Sequence, residues 1–217
     1  MSEINLLDAL PQVKRDPKAR AAAKTAEDRA IAKRFDRDFF DGERRHGYGG
    51  YRYDGRWLPV ARRMVEHYSL KPDARILDVG AAKGFLMHDF LQVLPQATVR
   101  GIDVSAYAKE NAHGGMGPLI DLGSAEKLPY PDKSFDLVIS INSIHNLPLE
   151  KCKMALREME RVSRAHKFVT VDAWRTEEEY QRLLDWILTA ETYMAVDDWH
   201  RLFAEVGYTG DAWWFIP

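Results

Sequence analysis

The chain has 217 residues, with 31 Lys and Arg against 33 Asp and Glu, and 46% of its residues are hydrophobic. This composition is typical of one globular domain, or of one domain with an appendage, and it excludes a largely disordered chain. A net charge of -2 also excludes a global basic field for nucleic acid.

Cysteine content and hydropathy exclude further classes of protein. The single cysteine, Cys152, excludes an internal disulfide and a multi-cysteine zinc site. No apolar run approaches the ~18 residues that a membrane span needs. Residues 1–10 lack a basic start followed by a long apolar stretch, so they do not resemble a secretory signal. We therefore expect a cytoplasmic protein with no membrane partner and no resident metal.

Residues 1–56 are predicted to form an N-terminal helical extension. Residues 11–45 contain eleven Lys and Arg against seven acids, and residues 18–40 lack Pro and Gly, which favours helix. A solvated helix packed on the domain is one interpretation, and a surface for an anionic partner is the other. Residues 47–57 then combine four glycines with aromatic side chains, and form either a lid or a flap that closes the core. These aromatic side chains are Tyr48, Tyr51, Tyr53 and Trp57.

Strand and helix patterns alternate in the predicted main domain, residues 57–217. The predicted strands are 75–80, 97–104, 118–122, 135–142, 167–173 and 209–216. The predicted helices are 85–94, 106–112, 149–165, 177–192 and 197–206. Because the strands are apolar runs without alternation, we expect them to be buried on both faces. The pattern predicts an α/β fold with a doubly wound, mostly parallel sheet of six strands, or of seven if one lies near 193–196.

A glycine turn follows the first predicted strand. Gly80 lets the backbone approach a ligand without a β-carbon in the way, and the helix that begins beyond Gly84 offers free N–H groups to an anionic group. Asp103 ends the next strand, 23 residues after Gly80. An acid at this position accepts hydrogen bonds from ribose hydroxyls in nucleotide-binding sheets. A dinucleotide site and a purely structural turn both remain open at this point.

A third motif separates these alternatives. Residues 123–142 read Gly-Ser-Ala-Glu-Lys-Leu-Pro-Tyr-Pro-Asp-Lys-Ser-Phe-Asp-Leu-Val-Ile-Ser-Ile-Asn. With this motif, residues 75–147 resemble class I S-adenosylmethionine-dependent methyltransferases, in particular the small-molecule branch that includes the quinone-biosynthesis C-methyltransferases. The resemblance implies the Rossmann-like methyltransferase fold, whose seventh strand forms an antiparallel hairpin. It also implies S-adenosylmethionine as cofactor, and it argues against a nicotinamide oxidoreductase.

The resemblance also implies a set of cofactor-binding positions at the strand ends. They are Asp78, Gly80, Ala81 and Gly84 for the methionine part, Asp103 and Val104 for the ribose and adenine, Ser124 and Ala125 for the adenine edge, and Asn142 on the methionine side. The sequence departs from the family pattern at two positions, with Ala82 in place of a glycine and Ser124 in place of an acid. We expect Ala82 to crowd the turn slightly and Ser124 to cost one contact with the adenine amino group.

Catalytic and substrate-binding residues are predicted from their place after the strands. His145 follows the fourth strand and is the candidate base for a hydroxyl acceptor, because histidine titrates near neutral pH; packing of the loop is the alternative. Arg175 is predicted to clamp an anionic group of the substrate, or to form a surface salt bridge. Tyr48 and Tyr51 are predicted to line the acceptor pocket.

These residues predict methyl transfer to oxygen or nitrogen of a small polar metabolite, such as a sugar or glycan precursor. The predicted partner is a small-molecule acceptor, and nucleic acid is not expected. One alternative is an RNA or protein methyltransferase that uses the basic N-terminal helix. A non-catalytic S-adenosylmethionine-binding protein is the other.

Overall fold

A single sheet of seven strands organises the computed structural model, which describes residues 2–11, 16–22 and 24–217. The strands are β1 (Arg75–Val79), β2 (Thr98–Asp103), β3 (Ile120–Leu122), β4 (Phe135–Ile141), β5 (Ser163–Trp174), β6 (Met194–Ala195) and β7 (Asp211–Phe215). Their order is β3-β2-β1-β4-β5-β6, with β7 also beside β5, and these neighbouring strands pair in parallel. The predicted doubly wound sheet is confirmed, and β6 lies within 193–196, where a seventh strand was expected.

Helices cover both faces of the sheet. They are α1 (Pro17–Ala22), α2 (Ala26–Ala32), α3 (Arg37–Asp41), α4 (Leu58–His67), α5 (Phe85–Val93), α6 (Ala106–Glu110), α7 (Leu149–Val162), α8 (Glu177–Trp186) and α9 (Val196–Val206). Successive side chains of a strand point to opposite faces. Leu77 of β1 accordingly belongs to the core beneath α7 and α9, whereas Ile76 belongs to the core beneath α4 and α5. Both faces are therefore buried, which explains the continuous apolar runs.

Several element boundaries differ from the sequence predictions. Residues 18–40 do not form one helix, because Thr25 and Asp36 each cap a new one, and Thr25 forms a capping box with Asp28. The expected antiparallel terminal hairpin is also absent from the described residues: β7 pairs with β5 in parallel, and Glu3 forms a parallel bridge with Ala212 of β7. Helix α4 was not predicted from the sequence.

Basic side chains of the N-terminal helices bind the end of α8. Arg20 Nε donates to the Trp186 carbonyl at 2.9 Å, Lys24 Nζ to the Asp185 carbonyl at 2.7 Å, and Arg29 Nη1 to the Ile187 carbonyl at 3.0 Å. The last carbonyls of a helix lack partners within it and carry partial negative charge, so cations there are stabilising. This part of the basic run is packed on the domain, while Lys14 and Arg15 lie outside the described residues. None of the described helices combines the length and the apolar character that crossing a bilayer requires.

Candidate functional site

A cavity of about 150 Å³ opens at the carboxyl ends of the strands. It lies where β1 pairs with β2 on one side and β4 on the other, which is the switch point at which doubly wound sheets bind ligands. Its lining comes from the ends of β2 and β4, the loops after β1, β3 and β4, and the N-terminal segment. The lining residues are Phe35, Phe39, Phe40, Tyr48, Gly80, Ala82, Ile102, Asp103, Val104, Gly123, Ser124, Ala125, Ile141, Asn142, Ser143, Ile144, Asn146 and Leu147.

The turn after β1 requires glycine at position 80. Gly80 has a φ of +85°, a conformation that residues with a β-carbon rarely adopt. A β-carbon there would lie 1.9 Å from Ser143 Oγ and 2.4 Å from Ser143 Cβ, which is far inside van der Waals contact. The backbone of the turn therefore faces the loop after β4 at a distance that only glycine allows.

Asp103 ties the end of β2 to the same turn. Its Oδ2 accepts the Ala82 N–H at 2.7 Å, and its Oδ1 accepts the Ser105 N–H at 2.8 Å. Burial raises the pKa of Asp103, and these backbone donors act in the opposite direction. Ala82, where the family pattern has glycine, adopts a φ of +49°. The hydrogen bond to Asp103 holds this left-handed residue in place.

Asp78 is a buried carboxylate beneath the turn. It is 6% exposed, and its carboxylate makes no hydrogen bond or ion pair within the described ranges. Burial and the nearby charge of Asp103 raise the pKa of Asp78 to about 7. A buried carboxyl without a partner is strongly stabilised by an incoming cation. The site can therefore accept a positively charged group here.

An aromatic roof, formed by Phe35, Phe39, Phe40 and Tyr48, covers the cavity. The ring of Phe39 meets those of Phe35 and Tyr48 edge-on, with centroids 5.1 and 5.2 Å apart. Phe35 has a φ of +50°, which is a strained conformation for a bulky residue. The roof thus combines tight ring packing with a strained backbone.

Polar contacts fasten the roof to the glycine turn. Lys83, which lies within the turn and is buried, donates to Asp41 Oδ2 at 2.5 Å and to the Tyr51 carbonyl at 3.0 Å. The Tyr107 hydroxyl donates to the same Asp41 oxygen at 2.6 Å. Farther along, the Tyr53 hydroxyl donates to Asp89, which is fully buried, at 2.6 Å. The segment that carries the roof is therefore held at Asp41, in its middle, and at Tyr51 and Tyr53, just beyond its carboxyl end.

The loop after β4 contributes two amides to the cavity. Asn142 has a φ of +50°, and its Oδ1 accepts the Thr170 hydroxyl at 2.9 Å. Asn146 Nδ2 donates to the Asn142 carbonyl at 3.4 Å, whereas the buried Asn146 Oδ1 has no hydrogen-bond partner among the described residues. A buried acceptor without a donor is costly, so Asn146 Oδ1 is an unsatisfied polar atom in the wall of the cavity.

His145 lies beside the cavity and is not among its lining residues. Its Nδ1 accepts the Asp172 N–H at 3.0 Å and lies 3.7 Å from an Asp172 carboxylate oxygen. Because Nδ1 is the acceptor, the neutral ring carries its proton on Nε2. Burial lowers the pKa of His145, against the opposing effect of Asp172. The ring is thus neutral near pH 7 in this arrangement.

The cavity brings together most of the sequence-predicted site residues. The lining includes Tyr48, Gly80, Asp103, Val104, Ser124, Ala125 and Asn142. Asp78 and Ala81 are buried beneath it, and Gly84 begins α5, where a β-carbon would lie 2.7 Å from Met116 Cβ. The ring of Tyr51 stacks on Phe85 with centroids 4.5 Å apart. Arg175 lies outside the lining, and its guanidinium bonds Glu3 at 2.9 Å.

Sequence reasoning missed the three roof phenylalanines, Asn146 and the Asp41–Lys83 pair. The spacing of Phe35 and Phe39, four residues apart in an otherwise polar stretch, was the available signal for the roof.

Comparisons with known proteins agree with this geometry. Residues 77–171 match the family described as "Methyltransferase domain". The chain is 26% identical over 171 residues to the uncharacterized methyltransferase YcgJ of Bacillus subtilis, covering 71% of this chain and 65% of that protein. It is 26% identical over 157 residues to a demethylmenaquinone methyltransferase of Symbiobacterium thermophilum, covering 67% and 60%. The chain spans between 32% and 65% of the length of the curated relatives that it matches.

Solved structures share the fold. The crystal structure of YcgJ aligns with a TM-score of 0.53 at 21% identity, over 67% of this chain and 66% of that one. A chain from the complex of the Haloferax volcanii Trm112 methyltransferase activator with a methyltransferase aligns with a TM-score of 0.56 at 18% identity, over 90% and 77%.

The parallel sheet, the glycine turn at its switch point and the match over residues 77–171 are features that this chain shares with methyltransferase domains. The relatives that it resembles include methyltransferases, and S-adenosylmethionine is the methyl donor of that family.

Proposed function

We propose that the chain transfers a methyl group from S-adenosylmethionine to an oxygen or nitrogen atom of a small metabolite. The observation that carries this proposal is the convergence of the glycine turn and Asp103 on one cavity, linked by the 2.7 Å hydrogen bond from Ala82. The expectation of a polar acceptor, such as a sugar or glycan precursor, belongs to this proposal.

The chemistry of the cavity suits the proposed cofactor. S-adenosylmethionine supplies a sulfonium methyl group, a cationic ammonium and a ribose diol. Asp78 would bind the ammonium, because its buried carboxyl lacks a cationic partner in the described part of the chain. Gly80, Ala81 and Gly84 would admit the methionine backbone, and Asn142 would close that side.

The adenosine part would lie along the ends of β2 and β3. Asp103 would accept hydrogen bonds from the ribose hydroxyls, with Val104 against the adenine. Val104 is 57% exposed, which is unusual for an apolar side chain beside a cavity and fits a surface that a ligand covers. Ser124 and Ala125 would contact the adenine edge.

Methyl transfer is an in-line displacement at carbon. The chain would therefore act by aligning the acceptor with the methyl group and the sulfonium, and by excluding water from the site. Base catalysis by His145 stays a prediction. A base needs an unprotonated ring nitrogen directed at the acceptor. The unprotonated nitrogen here is Nδ1, which accepts the Asp172 N–H, so the ring would first have to give up this hydrogen bond. Substrate contacts by Tyr48, Tyr51 and Arg175 are likewise part of the proposal.

We further propose that the N-terminal extension, residues 1–56, acts as a lid on the domain formed by residues 57–217. Ligand pockets are typically about 300–1,000 Å³, so the cavity of about 150 Å³ is small for cofactor and acceptor together. Movement of the aromatic roof would open it. Gly47 and Gly55 flank the loop that carries Tyr48, Tyr51 and Tyr53, and they would let this part of the lid move.

The test uses the full chain with methyl-labelled S-adenosylmethionine and a cell extract separated into small molecules, RNA and protein. We expect label in the small-molecule fraction and none with Asp103→Ala, whose fold is checked by circular dichroism. Label confined to RNA or protein would instead support a macromolecular acceptor. Tight cofactor binding without any transfer would support a non-catalytic binding protein.

A further inference from the structure

Three basic side chains of the N-terminal helices lie together at the end of α8. The Ile187 carbonyl accepts both Lys24 Nζ, at 2.5 Å, and Arg29 Nη1, at 3.0 Å. Arg20 Nε donates to the neighbouring Trp186 carbonyl at 2.9 Å, and the Arg20 guanidinium lies over the Trp186 ring, 4.6 Å from its centroid. The three cations are therefore held close to one another as well as to the helix end.

The positive charge at this place exceeds what its surroundings compensate. A helix C-terminus carries only about half a negative elementary charge. Burial, and then the charges of Arg44 and Arg29, lower the pKa of Arg20 to about 10. Burial, and then the charges of Arg29 and Arg20, lower the pKa of Lys24 to about 8, which the nearby Asp185 opposes. A fourth cation, Arg44, thus adds to the repulsion among the other three.

These four side chains, Arg20, Lys24, Arg29 and Arg44, are called the basic junction below. Other basic residues of the same segment have carboxylate partners, such as Lys33 with Glu191 at 2.8 Å and Arg45 with Glu43 at 3.0 Å. No member of the basic junction forms an ion pair with a carboxylate among the described residues, and their side-chain hydrogen bonds go to backbone carbonyls. The missing counterion is therefore specific to this cluster.

The guanidinium groups of the basic junction keep most of their donors unused. Each guanidinium is a planar fork of N–H groups that fits a phosphate or carboxylate with two parallel hydrogen bonds. Within the described part of the chain, the only guanidinium nitrogens that donate are Arg20 Nε, Arg29 Nη1 and Arg44 Nη1. Arg20 and Arg29 are also partly buried, so water screens their charges less than on an open surface.

The basic junction adjoins both the aromatic roof and the loop after β4. The Arg44 guanidinium donates to the Gly47 carbonyl, next to Tyr48 of the roof. The segment that follows α8 reaches the loop after β4, where the Thr192 N–H donates to the His145 carbonyl at 2.9 Å. None of the four cations belongs to the cavity lining. An anion at the basic junction would therefore lie beside the cavity and outside the part that the cofactor would fill.

We propose that the basic junction binds a multiply charged oxyanion, such as a phosphate or diphosphate group. The anion would relieve the repulsion among the cations and so strengthen the packing of α1 and α2 on α8. A free ion and a phosphate group carried by the acceptor share this chemistry. The site is independent of the proposed methyl transfer, because it stands on the arrangement of the cations alone.

The experiment is calorimetry on the full chain in metal-free buffer at constant ionic strength, since salt screens such charges. The probes are pyrophosphate, inorganic phosphate and acetate. We expect pyrophosphate to bind with a Kd below about 1 mM and acetate to bind at least about tenfold more weakly, with phosphate between them. Saturation with S-adenosylhomocysteine should leave the pyrophosphate affinity unchanged, because the site lies outside the cavity.

Three variants assign the contacts. Arg20→Gln and Arg29→Gln each remove one charge and keep an N–H donor for the helix carbonyls. Each should weaken pyrophosphate binding by about tenfold, with the melting temperature reporting a folded chain. Arg63→Gln makes the same charge change at an arginine that pairs with Asp8, and it should bind pyrophosphate as the wild type does. Because Arg20 and Arg29 lie on separate helices, a folding defect in one variant leaves the other as a test.

Three results would overturn the proposal. Pyrophosphate could bind no more tightly than acetate, Arg63→Gln could weaken it as much as Arg20→Gln does, or S-adenosylhomocysteine could displace it. The second result would show an effect of net charge alone, and the third would place the anion in the cavity.

The source of the anion is assigned with the labelled transfer assay, after the small-molecule fraction has been treated with a phosphatase. Label that is lost after this treatment assigns the anion to the acceptor, and unchanged label assigns it to a free ion. Both results are compatible with the site. If neither sample is labelled, the proposed methyltransferase function fails, and the calorimetric test of the basic junction still decides this proposal.

Discussion

Gly80 and Ser143 lie side by side in the cavity wall, so close that a β-carbon on Gly80 would lie 1.9 Å from Ser143 Oγ. The two residues belong to the turn after β1 and the loop after β4, which flank the switch point of the sheet. Their contact makes the two loops one wall, so a change at either residue is expected to move the other.

Gly80→Ala is therefore expected to lower both thermal stability and S-adenosylhomocysteine affinity, because it adds a clash to a φ of +85°. Ser143→Gly alone should be mild. Combining the two removes the clash and leaves the backbone strain, which is about 1–2 kcal/mol for a non-glycine residue. A double-mutant cycle on melting temperature measures the coupling. Purely additive effects would contradict a direct contact.

Ala82→Gly is expected to leave stability within about 1 kcal/mol, because relief of the left-handed strain offsets the greater freedom of glycine in the unfolded chain. Cofactor affinity should persist, since the N–H that Asp103 accepts is still present. Ala82→Val is the matched control and should be clearly destabilising, because β-branched residues tolerate positive φ poorly. Denaturant unfolding of the three proteins checks this, and a stable valine variant would refute it.

Asp78 is expected to make the stability of the cofactor-free protein depend on pH. Its pKa is about 7 in the folded protein, against ~3.9 for an unperturbed aspartate. The fold favours the protonated carboxyl, so this contribution is complete below pH ~4 and is lost as the pH rises through about 7. Melting temperatures of the wild type should fall relative to Asp78→Asn between about pH 4 and 7 and level off above that. If the two proteins showed parallel curves of melting temperature against pH, Asp78 would not titrate in this range.

Cofactor affinity is expected to show the opposite trend with pH. An ammonium beside Asp78 favours the carboxylate, so S-adenosylhomocysteine should bind more tightly as the pH rises from about 5 to about 7. The range stops below the titration of the ligand amino group, at about 7.7–8. Calorimetry on the wild type and Asp78→Asn tests this, because the variant should bind with a nearly constant affinity. A wild-type affinity that is flat over this range would place the ammonium elsewhere.

The Asp41–Lys83 pair is expected to control exchange of the cofactor. Asp41→Asn leaves the buried Lys83 ammonium without its anionic partner, which is costly and should loosen the roof. We expect S-adenosylhomocysteine to dissociate about tenfold faster and proteases to cleave more readily within 42–52. Asp38→Asn, which makes the same charge change on α3, should behave as the wild type. Equal dissociation rates in all three proteins would show that the roof does not gate the cavity.

Base catalysis by His145 predicts that His145→Gln lowers kcat by about 10²–10⁴ and removes the acidic limb of its pH profile. Cofactor affinity should be unchanged, because the ring is not part of the cavity lining. The measurement compares kcat, melting temperature and cofactor affinity in both proteins. A lower melting temperature with kcat preserved would assign the ring to its hydrogen bond with the Asp172 N–H alone.

The strand ends of the site could be predicted from the sequence, whereas the roof could not. Asp103 and Gly80 meet because the carboxyl ends of neighbouring parallel strands lie at one edge, and that rule needs only the order of elements. The roof depends on Asp41 reaching Lys83, 42 residues along the chain. No local periodicity reports such a contact. The same limitation applies to Asn146, whose free oxygen is evident only once its neighbours are in place.

The fastening of the N-terminal helices to the end of α8 has a consequence for biosynthesis. Arg20 binds the carbonyl of a residue that lies 166 positions later in the chain. A ribosome releases the amino-terminal part first, so this part must wait for most of the polypeptide before its native contacts exist. Packing of the N-terminal helices against α8 is therefore a late event in the life of each newly made molecule.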